Sequence, residues 1–367
     1  MIKKTIFFLF FIQFQVLFCQ ESEKINFTGD FRFRLEHDWN SKKSDGSYRS
    51  DRSRMRYRFR LGATYLYKDW GKVGARIRTG NLNDQQGPHI TLGGNEGEFS
   101  TISLGFEKIY FQIDYKFLFG WIGKNSFPFY KQNELFWNDN VFPEGISLSY
   151  KKSFESSKKI DINLGHFIIK SSNSGFDKDS YMQGLQIVGH YNALIFYPSF
   201  YYFNTVPNIP DGNGDYNIEY SILNIGAKYT FFKKKYRVGF DWYKNLSLNR
   251  NIPKKISSET NGFTFNLGYG QLKENHDLTI DLTLSYLEKI AIVDYFAQND
   301  WARWDYSSYN SSGSRLSNFK GLELKMAYKL NDKMNLVFRG FIVEEIITFG
   351  QEKENGNRVR LDFNFAF

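Results

Sequence analysis

The most constraining feature of this chain is a two-residue alternation of apolar and polar side chains. From Ile25 to Glu36 the odd positions are apolar or glycine and the even positions are polar. From Arg52 to Tyr67 the even positions begin with five successive arginines, while the odd positions are mostly apolar. Successive side chains of a β-strand point to opposite faces, whereas a helix would spread these arginines around its surface. The pattern therefore predicts strands with one apolar and one charged face.

The same alternation recurs to the last residue, Phe367, and gives about sixteen strands. Tight connections alternate with long ones, which lie near 38–51, 82–100, 131–142, 172–181, 205–217, 249–259, 292–317 and 345–356. This spacing is typical of an all-β, transmembrane, antiparallel up-and-down β-barrel with short periplasmic turns and long extracellular loops. An even strand count places both chain ends on the periplasmic side.

The composition agrees with a barrel wall rather than with a spanning helix. Aromatic residues make up 19% of the chain, yet the mean hydropathy is −0.48. After the first twenty positions there is no apolar run of the roughly 20 residues that a transmembrane helix needs. Many aromatics in a polar chain fit strands that face lipid and water in turn.

The N-terminus predicts export. Lys3 and Lys4 precede an apolar stretch from Ile6 to Phe18, as in a signal peptide, so we expect residues 1–19 to be removed and 20–367 to form the barrel. Cys19, the only cysteine, excludes an internal disulfide and leaves lipid modification as the alternative to ordinary cleavage. The predicted location is the cell outer membrane of a Gram-negative bacterium, in contact with lipid and lipopolysaccharide.

Arginines give the charged face its chemistry, in a chain with net charge +9. A charge on the lipid side costs about 2–4 kcal/mol at mid-membrane, so these side chains are predicted to line the lumen. Two roles stay open: selection of anionic solutes, or a solvated face neutralised by carboxylates such as Asp30, Glu36, Asp114 and Asp362. The predicted basic wall consists of Arg32, Arg34, Arg54, Arg56, Arg58, Arg60, Arg76, Arg78, Arg339 and Arg360.

An aromatic segment near 124–145 is the second candidate feature. The Arg-x-Arg-rich opening, the aromatic-proline segment after Lys124 and the run from Trp137 to Gly145 resemble the putative porin family of Gram-negative outer-membrane β-barrels, and distantly the alginate-export type. The resemblance implies an outer-membrane channel. The segment could fold inward as a constriction or cap the barrel from outside. Its candidate residues are Lys124, Phe127, Phe129, Tyr130, Glu134, Trp137 and Asp139.

A third loop carries Trp301, Trp304 and Asp305, which suit a sugar ring, although the pattern favours a loop packed on itself. The five histidines show no metal-ligand spacing and no catalytic motif appears, so we expect no enzyme, metal or cofactor. Export and alternating aromatic strands argue against a nucleic-acid partner.

The predicted function is passive diffusion of small hydrophilic, anionic solutes through an arginine-lined lumen. Transport of an acidic polysaccharide and a barrel enzyme are the alternatives. The final strand ends in Phe367, an aromatic of the kind that the barrel assembly machinery reads in such proteins. We also expect assembly as a homotrimer, although the sequence does not identify a subunit interface.

Overall fold

The computed structural model describes residues 24–94, 99, 101–155, 157–204, 206, 218–301 and 317–367. The predicted signal peptide and the candidates Trp304 and Asp305 lie outside these residues. The strands are β1 (Ile25–Trp39), β2 (Arg52–Lys68), β3 (Gly71–Thr79), β4 (Ile90–Thr91), β5 (Leu104–Tyr115), β6 (Leu118–Lys124), β7 (Glu144–Glu155), β8 (Lys158–Lys170), β9 (Ser180–Tyr191), β10 (Leu194–Phe203), β11 (Tyr220–Phe231), β12 (Tyr236–Asn245), β13 (Asn261–Tyr269), β14 (Leu278–Leu287), β15 (Phe319–Asn331), β16 (Met334–Glu345) and β17 (Asn355–Ala366).

Sixteen of these strands close a ring in which every neighbouring pair is antiparallel. The ring closes between β1 and β17, where Asp30 stands opposite Ala366 and Trp39 opposite Asn357. The two-residue strand β4 pairs only with β2 and is not one of the sixteen strands of the ring. The predicted all-β, up-and-down barrel of about sixteen strands is therefore confirmed.

Helical structure is limited, within the described residues, to one α-helical turn (Lys254–Ser257) and two 3₁₀ turns (Phe176–Lys178 and Asp294–Phe296). None of these is long and apolar enough to cross a membrane.

Short and long connections separate the two ends of the barrel as predicted. β2 and β3 are joined through Asp69 and Trp70, and β15 and β16 through Asp332 and Lys333. The first strand begins at the same end, because Ile25 pairs with Tyr65. The strand ends that the long connections join lie at the opposite end, as where Asp38 pairs with Arg52.

The outward face is apolar, and aromatic side chains surround it at the short-turn end. Phe27, Met55 and Val73 are exposed on the first three strands, as the alternation predicts. Such an aromatic band marks the level of a membrane–water interface on a barrel. Its exposed members are Tyr67, Tyr115, Phe117, Phe154, Tyr191, Tyr229, Phe232, Tyr236 and Tyr269.

The interior is filled by two of the long connections. The segment 125–143, here called the inner loop, buries Leu135 and Phe136, and the segment 288–301, the second inner loop, buries Ile290, Ile292 and Trp301. The two segments join where the Asn138 N–H donates to the Phe296 carbonyl at 2.7 Å. The hydrophobic core of the described residues therefore lies inside the barrel.

Candidate functional site

The lumen is lined on one side by arginines that the strand register brings together. Cross-strand pairing sets Arg32 opposite Arg58 and Arg34 opposite Arg56 between β1 and β2. β17 extends the surface with Arg358 and Arg360, and Arg360 stands opposite Arg339 of β16. We call this surface the arginine wall; it comprises Arg32, Arg34, Arg54, Arg56, Arg58, Arg60, Arg339, Arg358 and Arg360.

Carboxylates on the same strands hold the wall arginines in place. Arg34 donates from Nε and Nη2 to the two oxygens of Asp362 at 2.6 and 3.1 Å. Arg358 donates to Asp38 in the same two-point manner. Glu36 contacts several guanidinium groups at once, including that of Arg56 at 3.7 Å. Fork-like pairs of this kind fix both the position and the orientation of a guanidinium group.

Two predicted wall residues have a different role. Arg76 donates to Glu107 at 2.7 Å, and Arg60 donates to the other oxygen of Glu107 at 2.6 Å. Arg78 is turned into the 79–84 loop, where it donates to the carbonyls of Thr79, Asn81 and Asp84 at 3.0, 3.0 and 2.8 Å. Neither Arg76 nor Arg78 lines the arginine cavity defined next.

The arginine wall faces a cavity of about 420 Å³, here called the arginine cavity. Nine arginines and Lys325 line it, against five carboxylates: Asp84, Glu134, Asp139, Asp300 and Asp362. A second cavity of about 280 Å³, the turn-side cavity, lies closer to the short turns, between Lys228, Arg237 and Asp281.

The two cavities meet at four residues, since both are lined by Glu134, Asp139, Lys325 and Arg339. Arg339 Nη1 lies 3.6 Å from Glu134 Oε1 across this meeting point. Burial acts to raise the pKa of the Glu134 carboxyl, but Arg339 and Lys131 outweigh it and hold the pKa below its usual range. The meeting point of the two cavities is therefore bordered by charges of both signs.

The inner loop crosses the lumen and leans on the side opposite the arginine wall. Its middle is bound to Asp241 of β12, which accepts hydrogen bonds from Gln132 at 2.7 Å and Asn133 at 3.0 Å. Tyr130 exchanges two hydrogen bonds with Gln186 of β9, at 2.6 and 2.9 Å. The structure thus places the segment inside the barrel, the first of the two positions left open by its sequence.

Aromatic side chains of the inner loop anchor it to the barrel wall and to the second inner loop. Phe127 stacks on Trp137 with 4.2 Å between ring centroids, and Trp137 stacks on Phe296 at 4.7 Å. Phe129 packs edge-on against Tyr201 of β10 at 5.2 Å. The polar members Lys131, Gln132, Asn133, Glu134 and Asp139 line the turn-side cavity instead.

The remaining loop candidates also have defined positions. Lys124 is the last residue of β6 and pairs with Glu144 at 2.6 Å, so it lies at the root of the loop. Trp301 is fully buried, stacked on Phe319 and edge-on to Phe341 at 5.5 and 5.6 Å. A ring enclosed in this way offers no face to a sugar.

Sequence reasoning missed three residues that organise the lumen. Arg358 lies in the same inward register as Arg360, but the alternation predicted the last strand only from Val359 to Phe367, whereas the strand begins at Asn355. Asp241 occupies a polar position of an alternating strand, which was its only signal. Asp300 comes from the second inner loop and reaches Arg358 at 3.3 Å.

The described residues contain no group of three or more His, Cys, Asp or Glu side chains that could hold a metal ion. His89 is half-buried beside the arginine wall, and loss of solvation together with Arg34 and Arg58 holds the pKa of its imidazole well below the usual range. The site is therefore a surface of fixed positive charge that borders the arginine cavity.

A closed sixteen-stranded antiparallel barrel, with a loop folded across its interior, defines the porin type of β-barrel. Residues 46–194 match the family model described as "Putative porin", so the resemblance to that family is confirmed for this part of the chain. No curated protein matches the sequence.

Solved porin structures share the architecture. A mutant porin of Rh. blastica has a TM-score of 0.54 at 12% identity, covering 94% of this chain and 100% of that one. A triple mutant of the Rhodopseudomonas blastica porin has a TM-score of 0.53 at 13% identity, covering 93% and 100%. At such low identity the likeness extends to the fold alone.

Proposed function

We propose that the protein is an outer-membrane channel for passive diffusion of small, hydrophilic, anionic solutes. The observation that carries this proposal is the lining of the arginine cavity, in which arginines and Lys325 outnumber the carboxylates two to one. Charges of one sign in a narrow, low-dielectric passage focus the field and raise the local concentration of counter-ions. A solute with a carboxylate or phosphate would find donors in fork geometry along its path.

The strand register supports a role beyond structure. Arg32 faces Arg58 and Arg34 faces Arg56 directly across two hydrogen-bonded strands. Like charges placed opposite each other destabilise a sheet by about 0.2–1 kcal/mol per pair. On the other side of β1, Asp362 stands opposite Arg34 and offsets part of this repulsion. The arginine pairs that face each other directly favour interaction with an anion.

The dimensions favour small solutes. The cavities of about 280 and 420 Å³ meet at Glu134, Asp139, Lys325 and Arg339. The larger is within the roughly 300–1,000 Å³ scale of small-molecule sites, and the smaller is just below it. A solute moving between them would pass Arg339 on the wall and Glu134 on the inner loop. We take this as the selecting region of the channel.

The test is a reversal-potential measurement on purified protein in a planar bilayer under a potassium chloride gradient. The wild type is expected to pass chloride in preference to potassium, and the double variant Arg56→Ser, Arg58→Ser to lose that preference. Arg250→Ser, on an exposed loop, removes the same kind of charge outside the lumen and should leave selectivity unchanged. A wild type that favours potassium, or a preference that survives the loss of both arginines, would contradict the proposal.

Transport of an acidic polysaccharide is the second candidate. Arg54, Arg56, Arg58 and Arg60 recur at every second residue, about 7 Å apart along β2, and form a ladder of charges. The two inner loops occupy the lumen that a polymer would need, which favours small solutes. Current block by long uronate chains at concentrations where the monomer has no effect would reverse this order.

Location and assembly follow from the same proposal. The aromatic band at the short-turn end suits the inner interface of an outer membrane. Phe367 lies at that end, and its N–H donates to the Gly29 carbonyl at 3.0 Å, where the barrel assembly machinery would read it. Export through a signal peptide at 1–19 and assembly as a homotrimer stay predictions.

A further inference from the structure

The carboxylates that contact the arginine wall are of two kinds. Glu36 and Asp38 of β1 and Asp362 of β17 belong to the wall itself, and strand pairing fixes their positions. Two others belong to loops and reach the wall from the lumen side: Glu134 of the inner loop contacts Arg339, and Asp300 of the second inner loop contacts Arg358 and Arg360. A loop can move relative to the wall, whereas a residue inside a closed ladder of strands cannot.

Asp300 joins two guanidinium groups. Its Oδ1 lies 3.3 Å from Arg358 Nη1, and its Oδ2 contacts Arg360 Nη1. Gln298 Nε2 donates to the same Oδ2 at 3.0 Å, from within the loop. Both oxygens of one carboxylate are thus bound by two wall arginines, which is the arrangement that a free carboxylate would adopt there.

The two arginines have strand partners of their own. Arg358 is paired in fork geometry with Asp38, and Arg360 Nε lies 3.6 Å from Asp362. Asp300 is therefore an added contact and not the sole counter-charge of either group. It also borders the arginine cavity, as do Arg358 and Arg360, so a solute in that cavity can reach the same guanidinium atoms.

We propose that Arg358 and Arg360 form a carboxylate-binding site on the solute path, and that Asp300 occupies it as a tethered competitor. This inference rests on the proposed channel function and deepens it by naming the solute class, a small carboxylate. Entry of such a solute displaces the Asp300 side chain and loosens the second inner loop. The burial and electrostatics agree, since the neighbouring guanidinium groups outweigh burial and hold the pKa of Asp300 well below its usual range, so the competitor stays charged.

The first test uses acetate, which has the atoms that the variant Asp300→Ala removes. Isothermal titration of acetate into the detergent-solubilised barrel is expected to show at least about tenfold tighter binding to Asp300→Ala than to the wild type, equivalent to about 1.4 kcal/mol. Asp300→Asn should show a smaller gain, because its amide still fills the site. Combining Asp300→Ala with Arg360→Ser should abolish the gain.

Glu36→Ala is the matched control. Glu36 also contacts several wall arginines, but it is enclosed by the strands and does not line the arginine cavity. An equal gain in acetate affinity for Glu36→Ala would overturn the proposal, because any unpaired arginine would then suffice. No gain for a folded Asp300→Ala, checked by its β-rich circular dichroism, would overturn it as well.

The second test follows the wild type and requires no variant to fold. Acetate, compared with chloride at equal ionic strength, is expected to accelerate hydrogen exchange in 288–301 and to leave exchange in 125–143 unchanged. Equal exchange in the two salts would overturn the role of Asp300 as a competitor. Neither test depends on conduction, so a channel that fails to favour anions would refute the proposed function separately.

Discussion

Replacing Asp241 by alanine is expected to release the middle of the inner loop without opening the barrel. Asp241 is 2% exposed and accepts hydrogen bonds from Gln132, Asn133, Thr264 and the Tyr197 hydroxyl, at 2.7, 3.0, 3.2 and 2.7 Å. Two of these bonds tie the loop to β12. The β12 backbone pairs with β11 and β13 along its length, so the wall itself does not need this side chain.

The size of the effect follows from those two bonds. A hydrogen bond to a charged group contributes about 1.5–3 kcal/mol, so two contribute about 3–6 kcal/mol before other terms. Removing a buried carboxylate also relieves its desolvation cost, which offsets part of that loss. We expect local opening of the loop to become easier by about 2.8 kcal/mol, equivalent to about 100-fold faster exchange of its amide hydrogens.

Hydrogen exchange read by mass spectrometry on loop peptides is the assay, with open-channel current noise as a second readout. Asp281→Ala is the matched control, because Asp281 also faces the lumen and pairs with Arg237 at 2.6 Å but does not anchor the loop. Equal exchange of the 125–143 amides in Asp241→Ala and the wild type would refute the anchoring role. So would equal acceleration in Asp281→Ala.

Two further predictions concern the inner loop. A Cβ at Gly184 would overlap the ring of Phe129, so Gly184→Val is expected to displace the loop and change single-channel conductance; wild-type conductance would contradict this packing. The pKa of Glu134 is held below its usual range, so its charge contributes stability above the ordinary carboxylate pKa of about 4.3 and loses it only as pH falls through the lower folded value. Selectivity should therefore be constant from about pH 7 to about pH 5, and reversal potentials that drift within that window would refute this assignment.

The strands and their faces could be predicted from the sequence because a barrel wall has a simple period. Where one face meets lipid and the other water, every second residue must be apolar, and a slip of one residue exposes the whole set. The alternation around Arg54 to Arg60 is therefore sufficient to assign these side chains to the lumen. The last strand was predicted to begin four residues late, at Val359 and not at Asn355, since strand ends carry no such constraint.

The position of the inner loop could not be predicted because it depends on contacts between distant strands. Phe129 lies where Gly165 of β8 and Gly184 of β9 leave space, and Gln132 lies over Gly239 of β12. Each glycine is ordinary in its own strand, and only the register aligns them on one side of the lumen. The ion partners of the arginines were partly predictable: Asp30, Glu36 and Asp362 share their inward face, whereas Asp300 arrives from a loop with no period.

The two sides of the lumen also explain where a passage can exist. The inner loop is attached to β8–β12 through aromatic packing and hydrogen bonds to Gln186 and Asp241, contacts that depend little on salt. Toward the arginine wall it makes mainly charged and polar contacts, such as Glu134 with Arg339 at 3.6 Å and Asn140 with Arg60 at 2.8 Å. Ionic contacts next to water weaken as salt is added, while buried packing does not. The contacts on the side of the loop that faces the arginines can therefore break when an anion competes for them. The contacts on the side that faces the glycines keep the loop in place.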